Sequence, residues 1–241
     1  IFIMVLRITG LIVFLLATIC QLRSQQPKID FEQYEPASTL VVTENLRTKS
    51  AFPFIDVHNH QYRMGSGSLE PLITEMDKLN LKIMVNLSGG SGDGLKKMIA
   101  NAKSQYPGRF VIFANLNFTG IGTKGWTENA VKQLTEDVQN GAGGLKIFKN
   151  LGFSVMDADG KRISIDDPQL DPVWAKCGEL KIPVLIHTAD PAPFWDDLNN
   201  DNERLLELYT HPRRKRSATD PAPWEDLIKE QHRMFKKHPR T

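Results

Sequence analysis

Five short apolar runs recur along the chain from residue 53 onward, and each has the length of a β-strand. The runs are rich in Val, Ile, Leu and Phe, and turn-forming residues lie between several of them. They are continuous rather than alternating, which is typical of strands that are covered on both faces. We predict strands at residues 54–58, 82–87, 110–116, 144–148 and 182–187.

The four gaps between these runs carry apolar residues at helical spacing. In the first gap, for example, Leu69, Ile73 and Met76 fall on one face of a helix. Thr127 is the expected N-cap of the third helix, and Pro172 lies in the first turn of the fourth. We predict helices at residues 69–79, 94–105, 127–139 and 171–180.

Regular alternation of strand and helix predicts parallel βαβ units and therefore an α/β fold. Two architectures fit this pattern, an open doubly wound sheet and a (β/α)₈ barrel, and the periodicity does not choose between them. No Gly-x-Gly-x-x-Gly follows the first strand, where the chain reads His58-Asn59-His60 instead. A dinucleotide-binding doubly wound fold is therefore disfavoured.

Composition narrows the class of protein. The chain has 241 residues, of which 41% are hydrophobic and 24% are charged, and this is typical of a folded globular protein. A formal net charge of +2 argues against a nucleic-acid partner, because phosphate binding needs a strongly basic face. The basic run at residues 213–216 has no interleaved aromatic residue and is interpreted as a solvated loop. Two cysteines are too few for a disulfide framework.

The first 20 residues are almost wholly apolar and are interrupted by Arg7. The apolar stretch at residues 11–17 is short for a membrane span of ~20 residues, and a positive charge precedes it. We therefore expect residues 1–24 to be an export signal, with an uncleaved membrane anchor as the alternative. Residues 25–52 are a polar leader, and residues 53–241 form the folded domain. The protein is expected to be periplasmic or secreted, with membrane contact only through its N-terminal segment.

A candidate metal motif lies at the end of the first predicted strand. Asp56, His58 and His60 are spaced two residues apart, so an extended chain places them on one face. Two imidazoles at this spacing can bind one divalent ion, and zinc is the favoured ion for nitrogen ligands of this kind. The alternative is that both are ordinary surface or core histidines.

Two further residues fall at the same predicted edge of the sheet. His187 ends the fifth strand, and parallel strands bring their carboxyl ends to one rim, where α/β barrels place their chemistry. Lys146, near the end of the fourth strand, faces this rim if its strand points inward there. A buried lysine is costly unless it is paired, ligated or carbamylated. The alternative is that Lys146 or Lys149 simply extends outward to solvent.

Three segments of the sequence resemble the amidohydrolase superfamily, and the amidohydrolase-2 branch is the most similar. These segments are residues 54–60, 144–152 and 183–191, and the resemblance extends over about residues 53–241. It implies a (β/α)₈ barrel with a divalent metal held by His58, His60 and His187. Asp56 would support the metal site without binding the ion.

The superfamily pattern also has a histidine on the sixth strand and an aspartate on the eighth, and neither is found in this sequence. The resemblance therefore implies an incomplete barrel with about five of its eight β/α units. A chain of this kind is expected to be inactive by itself.

Three classes of function follow from these residues. The first is a metal-dependent hydrolase in which metal-activated water attacks an amide, ester or lactone-like carbon, with Lys146 as a candidate catalytic residue. The second is a metal-dependent decarboxylase of the same branch. The third is an exported binding module without catalytic activity. For the two enzymes the expected partner is a small-molecule substrate.

Overall fold

The computed structural model describes residues 33–37, 49–217 and 219–241. The predicted export signal at residues 1–24 and most of the leader lie outside the described residues. The chain divides into two compact units, Ile1–Val42 with Pro191–Arg216 and Thr43–Asp190 with Ser217–Thr241. In the described ranges, no helix is both long enough and apolar enough to cross a bilayer.

The larger unit is built on six short parallel strands. They form two three-stranded sheets, with the orders β1-β2-β3 and β4-β5-β6. The strands are β1 (Phe54–Asn59), β2 (Leu81–Asn86), β3 (Phe110–Ile112), β4 (Ala114–Asn115), β5 (Leu145–Ile147) and β6 (Val184–Ile186).

The third predicted strand, at residues 110–116, is divided into β3 and β4 at Phe113. The N–H of Phe113 donates to the carbonyl of Asn86 at 2.9 Å, whereas the N–H of Ala114 donates to the carbonyl of Gly144 at 2.9 Å. The chain thus changes its hydrogen-bonding partner from one neighbouring strand to the other within two residues. One run of backbone therefore continues from the first sheet into the second.

The order of the strands distinguishes between the two predicted architectures. Neighbours follow the chain order from β1 to β6, with β3 and β4 as successive parts of one run. A doubly wound sheet reverses its strand order at a switch point, whereas a barrel does not. The described strands therefore have the order of a barrel, and β1 and β6 are their two edge strands.

The predicted helices are confirmed to within two residues at each end, and the fourth agrees at both ends. The prediction of Thr127 as an N-cap is wrong, because its helix begins at Trp126 after Gly125, which has a φ of +86°. The Thr127 hydroxyl instead donates to the carbonyl of Gln169 at 3.1 Å. The helices are α1 (Glu70–Leu79), α2 (Gly92–Gln105), α3 (Trp126–Gln139), α4 (Asp171–Leu180), α5 (Leu205–Thr210) and α6 (Trp224–Lys237).

Buried apolar side chains occupy both faces of the strands. The main core lies on the helix side and includes Leu145 and Ile147 of β5. Side chains alternate along a strand, so Lys146 between them points to the opposite face. Its register partner is Leu185, which packs against a second, smaller apolar cluster. That cluster consists of Val85, Leu87 and Phe113.

Close packing around Phe113 requires glycine at two positions. A Cβ atom on Gly144 would lie 2.5 Å from the ring of Phe113, and one on Gly89 would lie 2.3 Å from its carbonyl oxygen. Both distances are shorter than any ordinary contact between non-bonded heavy atoms. These glycines therefore let the segments before β5 and after β2 approach the point where β3 meets β4.

The smaller unit contains the basic run at residues 213–216. In its described part, Phe194, Leu205 and Leu208 are buried. Arg214 is exposed, as the solvated-loop interpretation expects, and pairs with Glu207 at 2.5 Å. The remainder of the basic run is more constrained, because the half-buried Lys215 donates from Nζ to the carbonyl of Trp195 at 3.2 Å and to that of its neighbour Arg216 at 2.6 Å.

A buried ion pair attaches the connection between β5 and α4 to α6. Arg162 donates from both terminal nitrogens to the carboxylate of Glu230, at 2.5 Å and 3.1 Å. The same carboxylate accepts the N–H of Ile165 at 3.2 Å, and Arg162 also donates to the carbonyl of Gly152 at 3.0 Å. Only 5% of the Glu230 side chain is exposed, so this network is satisfied almost entirely by protein groups.

We predict that Glu230→Ala destabilises the protein by about 3–5 kcal/mol, because it leaves Arg162 and a backbone N–H without their acceptor. Urea unfolding followed by circular dichroism measures the change. Glu225→Ala removes the same charge from an exposed position in the first turn of the same helix and is expected to cost no more than about 1 kcal/mol. Equal losses in the two variants would contradict a specific role for the buried pair.

Candidate functional site

The end of β1 carries the predicted metal motif. Asp56 accepts the backbone N–H of His58 at 2.9 Å and the side-chain amide of Asn59 at 2.8 Å. The carboxylate of Asp56 therefore holds the backbone of the motif, and its supporting role at a metal site stays a prediction. Pairing with β2 is irregular between Asp56 and Asn59, so the strict alternation assumed for Asp56, His58 and His60 is interrupted.

A serine from the neighbouring strand end holds the ring of His60. The Nδ1 atom of His60 lies 2.7 Å from the hydroxyl oxygen of Ser88, which follows β2. This contact leaves Nε2 as the ring nitrogen that is available to a ligand. Ser88 is not among the residues predicted from the sequence. Its position directly after a predicted strand is nevertheless the signal that identifies rim residues in a parallel sheet.

The position of Ser88 depends on the buried amide of Asn86. Asn86 accepts the N–H of Ser88 at 3.0 Å and the N–H of Gln61 at 2.9 Å, and it donates to the carbonyl of Gln61 at 2.9 Å. The residue is fully buried. Asn86 therefore connects Gln61, which follows β1, with Ser88, which follows β2, and these are the two segments that meet in the His60–Ser88 contact.

His58 and His187 lie at the same rim with greater exposure. The ring centroids of His58 and His60 are 5.3 Å apart, and the planes meet at 65°. His187 follows β6, and its N–H donates to the carbonyl of Ile147 at 2.9 Å, which places it beside the end of β5. The side chains of His58 and His187 are both exposed.

Lys146 is buried, so the alternative in which it extends to solvent is wrong. Only 1% of its surface is exposed, and its Nζ has no hydrogen-bond partner within the described residues. The ring centroid of Phe148 is 5.5 Å from Nζ. Burial lowers the pKa of the Lys146 amine. An unpaired buried ammonium is costly, so the neutral amine is favoured more here than on the surface.

The charge of Lys146 acts on two of the histidines. The pKa of His60 is lowered, first by burial and then by the positive charges of His58 and Lys146. The pKa of His187 is also lowered, first by loss of hydration and then by Lys146 and Lys149, while Asp190 opposes the shift. Both rings are thus held towards the neutral form, which is the form that binds metal or accepts a proton.

The segment after His187 contains a second ion pair and an unusual backbone conformation. Lys149 pairs with Asp190 at 2.5 Å, and the carbonyl of Asp190 accepts the indole N–H of Trp224 at 3.1 Å. Ala189, which directly precedes Asp190, has a φ of +60°, a left-handed conformation that is uncommon for alanine. Thr188 has a buried hydroxyl without a hydrogen-bond partner in the described ranges.

The donor types at this rim fit a divalent metal, because imidazole nitrogen is a common ligand for zinc and related ions. Across the described part of the chain, however, no three His, Cys, Asp or Glu side chains are grouped closely enough to hold one ion. The assignment of His58, His60 and His187 as ligands therefore stays a prediction. It requires the exposed rings of His58 and His187 to turn towards His60.

No protein-family model matches the chain, and no curated protein sequence does. Two of the solved structures that are similar to it are compared by their fold likeness alone. One is 2,6-dihydroxybenzoate decarboxylase complexed with 2,6-dihydroxybenzoate, with 20% identity and a TM-score of 0.44 over 72% of this chain and 54% of that chain. The other is a protein from Staphylococcus aureus assigned as an amidohydrolase, with 18% identity and a TM-score of 0.43 over 71% of this chain and 56% of that chain.

This chain therefore spans a little over half of the length of each of these two structures. Neither likeness is close enough to carry an argument about activity. The residues of this chain are therefore the basis for its proposed function.

We predict that Lys146→Met raises the pKa of both His60 and His187, because it removes a positive charge that acts on both rings. Lys149→Met is the matched control and is expected to raise only the pKa of His187. Histidine NMR titration of chelator-treated protein measures each value. Unchanged pKa values in Lys146→Met would contradict the electrostatic coupling.

These two lowered pKa values also make the stability of the fold depend on pH. The folded protein binds the protons of His60 and His187 less tightly than the unfolded chain does. The contribution of the two histidines to the free energy of unfolding therefore falls as the pH drops from about 6.5 through their folded-state pKa values.

Proposed function

We propose that the protein is a metal-dependent hydrolase of the amidohydrolase type, acting on an amide, ester or lactone-like carbon of a small molecule. The observation that carries the proposal is the buried Nζ of Lys146, which has no hydrogen-bond partner among the described residues and lies at the rim that also bears His58, His60 and His187. A fold keeps an unsatisfied buried amine at a cost in stability, and residues of this kind concentrate at functional sites. The carboxyl end of parallel strands is where α/β barrels place their active sites.

His58, His60 and His187 would hold the metal, with zinc favoured by three nitrogen donors. When bound, the metal supplies a water molecule whose pKa is lowered towards neutrality. Ser88 keeps the ring of His60 in one orientation through Nδ1, so that Nε2 points to the ligand. Asp56 fixes the backbone at His58 and contributes no donor to the ion.

Lys146 is the proposed proton-transfer group. Burial lowers the pKa of its amine, so Lys146 exchanges a proton more readily than a surface lysine, and Nζ has no hydrogen bond to a described residue that would have to be broken first. The positive charge that forms when Lys146 takes up a proton would lie at the rim, near the ring of Phe148.

The same observation supports a second function, decarboxylation of a small organic acid. If Lys146 is protonated when substrate binds, its ammonium is a partner for the substrate carboxylate in a dry environment. The two functions therefore differ in the protonation state of one residue. A binding module without activity is the outcome expected if Lys146 has neither role.

We further propose that this chain holds only part of a barrel. The edge strand β1 supports this, because Ile55 and Val57 are 51% and 61% exposed although they belong to an apolar strand. An open strand edge and exposed apolar side chains are typical of a surface that another element covers. The isolated chain is then expected to have little activity until that surface is covered.

We predict that the zinc-loaded protein hydrolyses ester or lactone substrates at a low rate and that the double variant His58→Ala, His60→Ala loses both zinc binding and this residual turnover. His211→Ala changes an exposed histidine of the smaller unit and is the matched control, with zinc binding and turnover unchanged. Zinc content is measured by atomic emission after dialysis, and turnover by pH-stat.

A parallel assay for CO₂ release from aromatic and unsaturated acids tests the second function. Zinc binding that needs His58 and His60, without either reaction, would favour the binding module. Zinc binding that is unchanged in the double variant would contradict the proposed site.

We predict that Lys146→Met stabilises the protein and reduces turnover. Methionine is similar in length and removes the buried amine, whose missing hydrogen bonds cost about 1–3 kcal/mol. Loss of general acid–base assistance lowers the rate by about 10²–10⁴-fold. Lys149→Met, at a lysine with a partner, is the control and is expected to be neutral or destabilising. A stabilised Lys146→Met variant with full turnover would exclude Lys146 from the reaction.

A further inference from the structure

A cavity of about 320 Å³ lies beside α3, within the larger unit. One face of α3 and the segment that follows β4 supply most of its lining, and none of its lining residues belongs to the rim described above. Its volume is at the lower end of the range for small-molecule sites. The cavity is therefore a candidate site that the proposed hydrolase does not use.

One wall of the cavity is apolar. Trp126, Leu134 and Leu145 line it, and all three side chains are buried. Ala130, one turn before Leu134 on α3, is a small residue in the same wall. This wall suits the hydrocarbon or aromatic part of a ligand.

The lining of the cavity also contains a buried carboxylate. Asp137 lines the cavity and is only 2% exposed. Its Oδ1 accepts the N–H of Gly92 at 2.8 Å and the side-chain amide of Gln133 at 3.0 Å. Both of its side-chain hydrogen bonds among the described residues thus end on one oxygen, and Oδ2 is left for a ligand.

No basic side chain pairs with Asp137 in the described ranges, although the other two buried carboxylates, Glu230 and Asp190, each have a basic partner. Burial raises the pKa of Asp137, and the nearby negative charge of Glu136 adds to this shift. Lys124 also lines the cavity but forms no ion pair with Asp137, so this carboxylate has no direct ionic partner among the described residues.

The neighbouring amide adds a second acceptor. Because Gln133 uses Nε2 to donate to Asp137, its Oε1 is the atom that remains to accept a hydrogen bond from a ligand. Asn129, one turn earlier on α3, lines the same side and offers another amide oxygen. These two amide oxygens thus add acceptors to that of Asp137 for a ligand that donates.

We infer that this cavity binds a small organic molecule through a primary ammonium group. The ammonium donates to Asp137 and Gln133, while the apolar part of the molecule packs against Trp126 and Leu134. A cation balances the buried carboxylate, and a charge-assisted hydrogen bond is about twice as strong as a neutral one. A neutral alcohol of the same shape leaves the carboxylate of Asp137 without a cationic partner.

Isothermal titration with 2-phenylethylamine and 2-phenylethanol tests this inference, because the two probes differ only in the charged group. The unaltered protein is expected to bind the amine at least tenfold more tightly than the alcohol. Asp137→Asn keeps an acceptor for Gly92 and Gln133 but removes the charge, and it is expected to weaken amine binding by about 10- to 100-fold. Glu136→Gln removes a charge from the next residue of α3 without altering the cavity lining and is expected to change affinity less than twofold.

A second variant keeps the test decisive if Asp137→Asn does not fold. Ala130→Leu fills the apolar wall and leaves Asp137 in place, and it is expected to abolish binding of both probes. Equal affinity for the amine and the alcohol would overturn the inference, as would no amine binding at millimolar concentration. Binding of the amine that survives Ala130→Leu would place it elsewhere and would also overturn it.

Discussion

The carboxamide of Asn86 is the interaction on which the candidate site depends. It lies at the end of β2 without any exposure to solvent and forms hydrogen bonds to both backbone groups of Gln61 and to the N–H of Ser88. Replacing it with an apolar residue would leave three backbone groups without partners in a dry environment, at about 1–3 kcal/mol each. The contact between Ser88 and His60 exists only while these two strand ends are held together. The orientation of the His60 ring is therefore a consequence of one buried amide in the next strand.

Buried charges in this protein fall into two groups with different physical consequences. The carboxylate of Glu230 is matched by Arg162 and a backbone N–H, and that network stabilises the packing of α6. Lys146 and Asp137 are just as deeply buried, but neither has an ionic partner within the described residues. In a medium of low dielectric constant a charge without a partner costs free energy, so both groups reduce the stability of the folded protein. The proposed reaction depends on Lys146, and the proposed ligand cavity depends on Asp137.

The strands have a barrel-like order because two segments can approach the backbone at Phe113. Gly89 and Gly144 carry no Cβ at the two points where one would collide with this residue. Phe113 donates to β2, and the next residue donates to the glycine that precedes β5, so a single run of chain joins the two small sheets. Lys146 is then enclosed on the face opposite the helices, next to Leu185. The burial of the lysine is thus set by the same close packing that orders the strands.

Local pattern alone determined the parallel α/β class, the approximate bounds of the helices, and the placement of His58, His60 and His187 at strand ends, because these depend on periodicity within a few residues. It failed at Thr127, where a glycine with positive φ sets the start of the helix, and at residues 110–116, which form two strand segments. Only the tertiary structure decided the barrel order, the burial of Lys146, the hold of Ser88 on His60 and the cavity at Asp137. Each of these is a contact between segments far apart in the chain, such as the 28 residues that separate His60 from Ser88. Periodicity reports which face of an element is buried, whereas the partner that a buried polar group meets is fixed only when distant elements pack together.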